Sequence, residues 1–287
     1  MPNRLGRLPL LLLLLVVLQL GYNAWQSAHR APAPTQTAAP DAPAPTDSAP
    51  PADDAPVAAA DTACARNLYQ GGQPGLPARM QQGAITVCYP GYASASSPVT
   101  RTPLWSAEHL TARRITLARQ TERVSAFYPE PSLGWDVRGE LADYRRSGFD
   151  RGHLSPSGDM PGREVQRQSF SLANIAPQAS QLNRGPWADL ETRVRDLAQQ
   201  AGEVWVVTGV LFEGARVNTT PDGRVMVPTS FWKAVAVPGR GAVVFLAANT
   251  DSGDIVKLSL GDFTRRTGIT PFPRLSGGAA LAELEMD

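Results

Sequence analysis

The sequence predicts an α+β domain built around an antiparallel sheet, and three observations carry that expectation. Val204-Trp205-Val206-Val207 is a short apolar, β-branched run of the kind that forms a buried strand. Phe231 to Val237 and Ala242 to Ala248 flank Pro238-Gly239-Arg240-Gly241, a hairpin signal. Between Pro186 and Ala198 the period changes to helical, with Trp187, Leu190, Val194 and Leu197 on one stripe. Strands around one prominent central helix form an α+β domain.

Taken in chain order, the first 60 residues do not read as globular. Arg4 and Arg7 precede a charge-free stretch from Leu8 to Ala28, within which Leu10 to Leu18 is wholly apolar. A basic start before an apolar core reads as a secretory signal or as a retained membrane anchor. The stretch is long enough to span a bilayer, which takes about 20 residues. Residues 1–30 are therefore expected to export the chain, either to the periplasmic side of the inner membrane as an anchor or as a secreted product. The membrane becomes a partner if the segment is retained. Residues 31–60 are almost entirely Ala, Pro, Thr, Ser and Asp, a composition that cannot offset chain entropy by burial and reads as a disordered linker. The globular domain is expected over residues 61–287.

The two cysteines, Cys64 and Cys88, both follow the leader, and in an oxidising compartment an isolated pair reads as a disulfide closing the N-terminal region of the domain. A net charge of +1 excludes a polycation that coats nucleic acid by bulk charge. Lysine occurs only at Lys233 and Lys257, so nearly all basic residues are arginine. The planar arginine fork suits phosphate oxygens, and arginine-favouring codons account for the bias equally well. Further along, Pro186 suits a first helical position. Pro221-Asp222-Gly223 marks a turn before a short strand at Val225 to Val227, and Ile255 to Leu260 alternates like another strand.

The chemistry concentrates around Asp150-Arg151-Gly152-His153. Of the three histidines, His29 sits beside the leader, and His109 reads as a satisfied structural residue. His153 alone has a chemical neighbourhood. Downstream, Asn174-Ile175-Ala176-Pro177-Gln178 runs into Leu182-Asn183-Arg184-Gly185-Pro186-Trp187, with Asn183 about 30 residues after His153, and on to Glu191. With Gly148-Phe149 before the first stretch and Arg123-Val124-Ser125-Ala126-Phe127-Tyr128-Pro129-Glu130-Pro131 upstream, this ordered series resembles the DNA/RNA non-specific endonuclease family of the ββα-metal superfamily, which includes the Serratia nuclease and endonuclease G. The resemblance runs from about Tyr89 to Pro273, and Glu130 stands where many members have Asp.

The resemblance implies a ββα-metal nuclease fold, a central antiparallel sheet with a helix carrying the metal ligand. It implies His153 as the general base for water, a task that suits imidazole because its pKa lies near neutrality. Asn183 would be the direct protein ligand of Mg²⁺, or of Mn²⁺, an ion that keeps several waters. Glu191 lies eight residues after Asn183; on one helix that spacing gives a rise of about 12 Å and an offset of about 80°, too far to share one ion directly. The resemblance makes Glu191 a holder of metal-bound water. Spacing alone favours an exposed glutamate paired with Arg195. Arg123 would meet the scissile phosphate, and Arg151 would help or else pair with an acid. Asn174 would orient the site or cap a turn, and Asp150 reads as structural.

These roles imply an exported, Mg²⁺-dependent endonuclease acting on DNA and RNA without regard to sugar or sequence, since contacts to phosphate and metal carry no base information. Two other classes fit the residues. One is a membrane-tethered nucleic-acid-binding module without catalysis; the other is a phosphodiesterase acting on small nucleotides.

Overall fold

The computed structural model describes residues 64–277, 280, 282 and 284–286. The segments read as leader and linker, residues 1–60, lie outside them, as does His29. Seven antiparallel strands form the main sheet: β1 (Ile85–Cys88), β2 (Ala93–Ser96), β3 (Pro103–Thr111), β6 (Glu203–Leu211), β7 (Ser230–Val237), β8 (Gly241–Ala248) and β9 (Ile255–Leu258). Their spatial order is β1-β2-β3-β6-β7-β8-β9. The jump from β3 to β6 makes room for an excursion containing a separate pair, β4 (Asp150–His153) and β5 (Ile175–Gln178).

Six α-helices are described: α1 (Ala78–Gln81), α2 (Ala112–Arg119), α3 (Arg163–Gln168), α4 (Ser180–Arg184), α5 (Pro186–Ala201) and α6 (Leu260–Thr267). Trp187, Leu190, Val194 and Leu197 of α5 are all buried. They pack with Val206, Val210, Phe231 and Val235 from one face of the sheet. Trp105, Trp232 and Ala234 contribute to a second core on the other face, together with Phe263 of α6. Because both faces are covered, β7 is buried along its whole length. That is why its sequence is a near-continuous apolar run rather than an alternation. The disulfide Cys64–Cys88 joins the N-terminal segment to the end of β1.

Three local expectations change. Val225 to Val227 forms no strand; only an isolated bridge pairs Thr219 with Met226, and Pro228 offers no N–H to extend it. The run at Ile255 stops at Leu258, because the Ser259 hydroxyl accepts from the Asp262 N–H and starts α6 instead. Asn183 and Glu191 do not share a helix. Gly185, at φ −111° and ψ −114°, separates α4 from α5, and Pro186 begins the second helix. The spacing of one continuous helix therefore does not relate the two side chains, and Asn183 stands on the short helix.

Gly209 of β6 lies opposite Trp232 of β7. A Cβ there would run into the Trp232 indole and lie 2.7 Å from the Leu104 carbonyl oxygen. Gly209→Ala is expected to destabilise the domain by about 1–3 kcal/mol through overpacking, read as a lower urea midpoint at unchanged slope.

Candidate active site

The β4–β5 pair presents His153 opposite Ile175, with Asp150 opposite Gln178 at the other end. Asp150 binds α4 to this ribbon. Its carboxylate accepts from Ser180 Oγ at 3.0 Å, Asn183 Nδ2 at 2.9 Å, and Arg184 Nε and Nη2 at 2.8 and 2.7 Å. These donors offset the cost of burying part of the carboxylate and hold its pKa below the ordinary range. Since the Asn183 amide nitrogen faces Asp150, its oxygen faces the other way and is left to accept or to coordinate.

Asn183, His153, Glu191, Arg123, Arg151 and Phe127 share the wall of one open cavity of about 710 Å³. The His153 ring sits 4.9 Å from Phe170, edge to face, and 5.5 Å from Phe127. Burial lowers its pKa to about 3, and the charge of Arg123 pushes the same way. The imidazole is therefore neutral through the physiological range. Its Nε2 is buried without a hydrogen-bond partner among the described residues.

Glu191 keeps part of its surface at the cavity wall, yet is packed deeply enough that burial raises its pKa to about 7. Lys233 opposes that rise, Asp159 adds to it, and Arg195 and Arg123 oppose it. The alternative pairing of Glu191 with Arg195 does not form; Arg195 Nη1 instead donates to Asp159 at 2.9 Å. Arg123 lies over the Phe170 ring at 5.7 Å and Arg151 over Phe127 at 4.8 Å. Neither has a carboxylate partner among the described residues, so Arg151 does not take the structural pairing open to it. Two guanidiniums with unspent donors facing one cavity suit an anion.

Asn174 stands apart from the wall. It is fully buried, its Oδ1 accepts the Ser155 N–H at 3.0 Å, and its Nδ2 donates to the carbonyls of Ser155 and Ser169 at 2.8 and 2.9 Å. Its own carbonyl accepts the Leu154 N–H at 2.9 Å. It fixes the chain immediately after His153. His109 is stacked on Trp205 at 3.9 Å and bonded to Glu203 at 2.7 Å, away from the cavity.

Sequence reasoning missed the charges beneath the wall. Lys233 is 1% exposed, donates to the Leu154 carbonyl at 3.5 Å, and contacts Thr208 Oγ1. Glu108 is buried, which together with the nearby Asp159 pushes its carboxyl well above the ordinary range. Arg114 donates to Glu108 at 3.2 Å and to the Asp159 carbonyl at 2.8 Å. A lysine inside an apolar strand run was the available signal.

The donor set fits a hard, hydrated divalent ion. Among the described residues there is no group of three or more His, Cys, Asp or Glu that could enclose a metal. One free amide oxygen on a carboxylate-anchored helix, with a glutamate on the same cavity wall, suits an ion that retains its waters.

A family model described as DNA/RNA non-specific endonuclease matches residues 73–276. The chain is 31% identical over 228 residues to "Nuclease EXOG, mitochondrial" of Danio rerio, covering 71% of this chain and 64% of that protein. It is 34% identical over 195 residues to "Nuclease C1" of Cunninghamella echinulata var. echinulata, covering 61% and 77%. A crystal structure of the EndoG/EndoGI complex matches with TM-score 0.57 and 25% identity, over 70% of this chain and 94% of that one. The chain thus spans less than two thirds of the length of the Danio rerio relative and of its Xenopus laevis counterpart, 64% and 60%.

The exported location expected from the N-terminus, periplasmic or secreted, is corrected by these comparisons. Five similar proteins, from Danio rerio, Schizosaccharomyces pombe, Caenorhabditis elegans, Homo sapiens and Saccharomyces cerevisiae, carry mitochondrial names. No helix among the described residues is long and apolar enough to cross a membrane. Apolarity marks a segment as a leader, but the destination is read by a receptor, and hydropathy does not encode it.

The carboxyl shifts fix the sign of a pH dependence in metal-free protein. Glu191 has a raised folded value, so the folded state holds a proton that the unfolded chain releases, and stability falls as pH rises from about 4.5 to about 7; the raised Glu108 carboxyl acts in the same direction. Glu130 and Asp150 have lowered values, and the stability they contribute is lost as pH falls below the ordinary carboxylate range. Melting in EDTA should therefore peak at about pH 5 and decline on both sides, and Glu191→Gln should flatten the alkaline limb.

Proposed function

The chain belongs to the DNA/RNA non-specific endonuclease family, and from that membership we propose that it is a metal-dependent endonuclease hydrolysing phosphodiester bonds in DNA and RNA. The observation that carries this reading is the convergence of His153, Asn183, Glu191 and two unpaired guanidiniums on one cavity. Asn183 Oδ1 would hold Mg²⁺ or Mn²⁺, with the Glu191 carboxylate accepting from the ion's waters. When bound, the ion supplies positive charge to the phosphate oxygens and to the departing 3′ oxygen.

The protein's own groups do the rest. Arg123 and Arg151 seat the phosphate and favour its pentavalent charge distribution. His153 accepts the proton of the attacking water at an imidazole nitrogen. Its depressed pKa keeps it in the accepting form, and an arriving phosphate offsets the Arg123 charge, raising the proton affinity of the ring when a base is required. Asp150 and Asn174 hold helix and strand in place without touching substrate. His153, Asn183, Glu191, Arg123 and Arg151 address phosphate, water or metal, contacts that carry no base information, which accounts for indifference to base and sugar.

Purified full-length chain is expected to nick and then linearise supercoiled plasmid, and to degrade RNA, with Mg²⁺ or Mn²⁺ but not with EDTA. His153→Ala should lower kcat by about 10²–10⁴. Asn183→Ala should weaken metal activation, read as a higher Mg²⁺ requirement. Plasmid that stays supercoiled in every metal, or full cutting by His153→Ala, would sink the reading.

A further inference from the structure

Trp135 is 61% exposed, the most exposed aromatic side chain among the described residues. Two guanidiniums lie over its ring, Arg224 at 4.2 Å and Arg101 at 5.1 Å from the centroid. Both also reach its backbone: Arg101 Nη1 donates to the Trp135 carbonyl at 2.8 Å and Arg224 Nη2 at 3.4 Å. Arg224 has a loose partner in the buried Asp143 at 3.5 Å, and its Nε is buried without a hydrogen-bond partner among the described residues, which leaves its Nη groups as the donors that could reach a ligand.

The backbone gives an independent observation. Arg101 has φ +55°, a conformation that glycine adopts freely and arginine does not. Arg146, in the loop leading to the cavity residue Phe149, has φ +53°. A long side chain kept where glycine would fold more easily points to a use for that side chain.

The patch adjoins the catalytic cavity. A Cβ on Gly139 would lie 3.2 Å from the Arg101 carbonyl oxygen and 3.7 Å from the Tyr144 ring, so these two groups meet at that glycine. Tyr144 lines the cavity, and its chain neighbour Asp143 faces Arg224. We infer that Arg101 and Arg224, held on Trp135, form a phosphate clamp that grips the nucleic-acid backbone outside the cavity, on one side of the bond to be cut. The inference rests on the endonuclease reading for its ligand. Guanidiniums fixed against a ring and a carbonyl keep other N–H groups free for phosphate oxygens and lose little rotamer freedom on binding.

Arg101→Gly tests this in the full chain, because glycine suits the backbone and the fold should hold or gain melting temperature. Three readouts are needed: cleavage of long duplex DNA, turnover of bis-p-nitrophenyl phosphate, and anisotropy of a labelled duplex in EDTA across a salt series. The expected result is a KM for DNA raised about three- to tenfold and a log–log salt slope shallower by about one, with small-diester turnover unchanged. Arg101→Lys should restore the slope, since it restores the charge. An unchanged salt slope in Arg101→Gly overturns the clamp, as does an equal loss on DNA and small diester. Parent protein that cuts neither substrate counts against the endonuclease reading, while the binding series still decides the clamp.

Discussion

The site depends on one carboxylate. Asp150 sits three residues before His153 on β4 and takes four hydrogen bonds from α4, two of them from Arg184 in bidentate form. It therefore sets the distance between the strand that carries the imidazole and the helix that carries the candidate ligand. It also sets the orientation of the Asn183 amide, since only the NH₂ side can face a carboxylate. A short helix of five residues has little stability alone. Asp150 supplies the tertiary contact that such a helix needs.

Behind that arrangement lies a second constraint, the cost of burying charge. Glu108, Asp159, Arg114, Arg195 and Lys233 stand under the cavity wall, on β3, α2, α5, β7 and the loop after β4. Each is tolerated because it has a partner: Arg195 on Asp159, Arg114 on Glu108 and three backbone carbonyls, Lys233 on Thr208 and Leu154. Their joint effect reaches the cavity through Glu191, whose carboxylate feels Lys233, Asp159 and Arg195 at once. Packing and titration are coupled there, because the same low-dielectric environment that raises the Glu191 pKa strengthens every charge around it.

The core of the site was readable as a series of residues. His153, Asn183, Glu191, Arg123 and Arg151 were each named from the chain, and the fold brings them to one wall. The α5 stripe and the β7–β8 hairpin were readable too, because burial on a regular element leaves a period in the sequence. Strands β1 to β5 and helices α2 and α6 left weaker marks. Ala93–Ser96 alternates alanine with serine yet is fully buried, and α6 starts at a cap supplied by the single hydroxyl of Ser259.

What the sequence determined by itself was the kind of chemistry, since imidazole, amide, carboxylate and guanidinium carry their reactivity with them. The architecture followed from periodicity, which is a local property. Only the tertiary structure decided which groups are in contact and in what electrical environment. The kink at Gly185 put Asn183 and Glu191 on different helices, the neighbours of Asn174 drew it out of the cavity, and burial among Phe127 and Phe170 set the proton affinity of His153. Those quantities depend on distance and desolvation between residues far apart in the chain, and no local pattern records them.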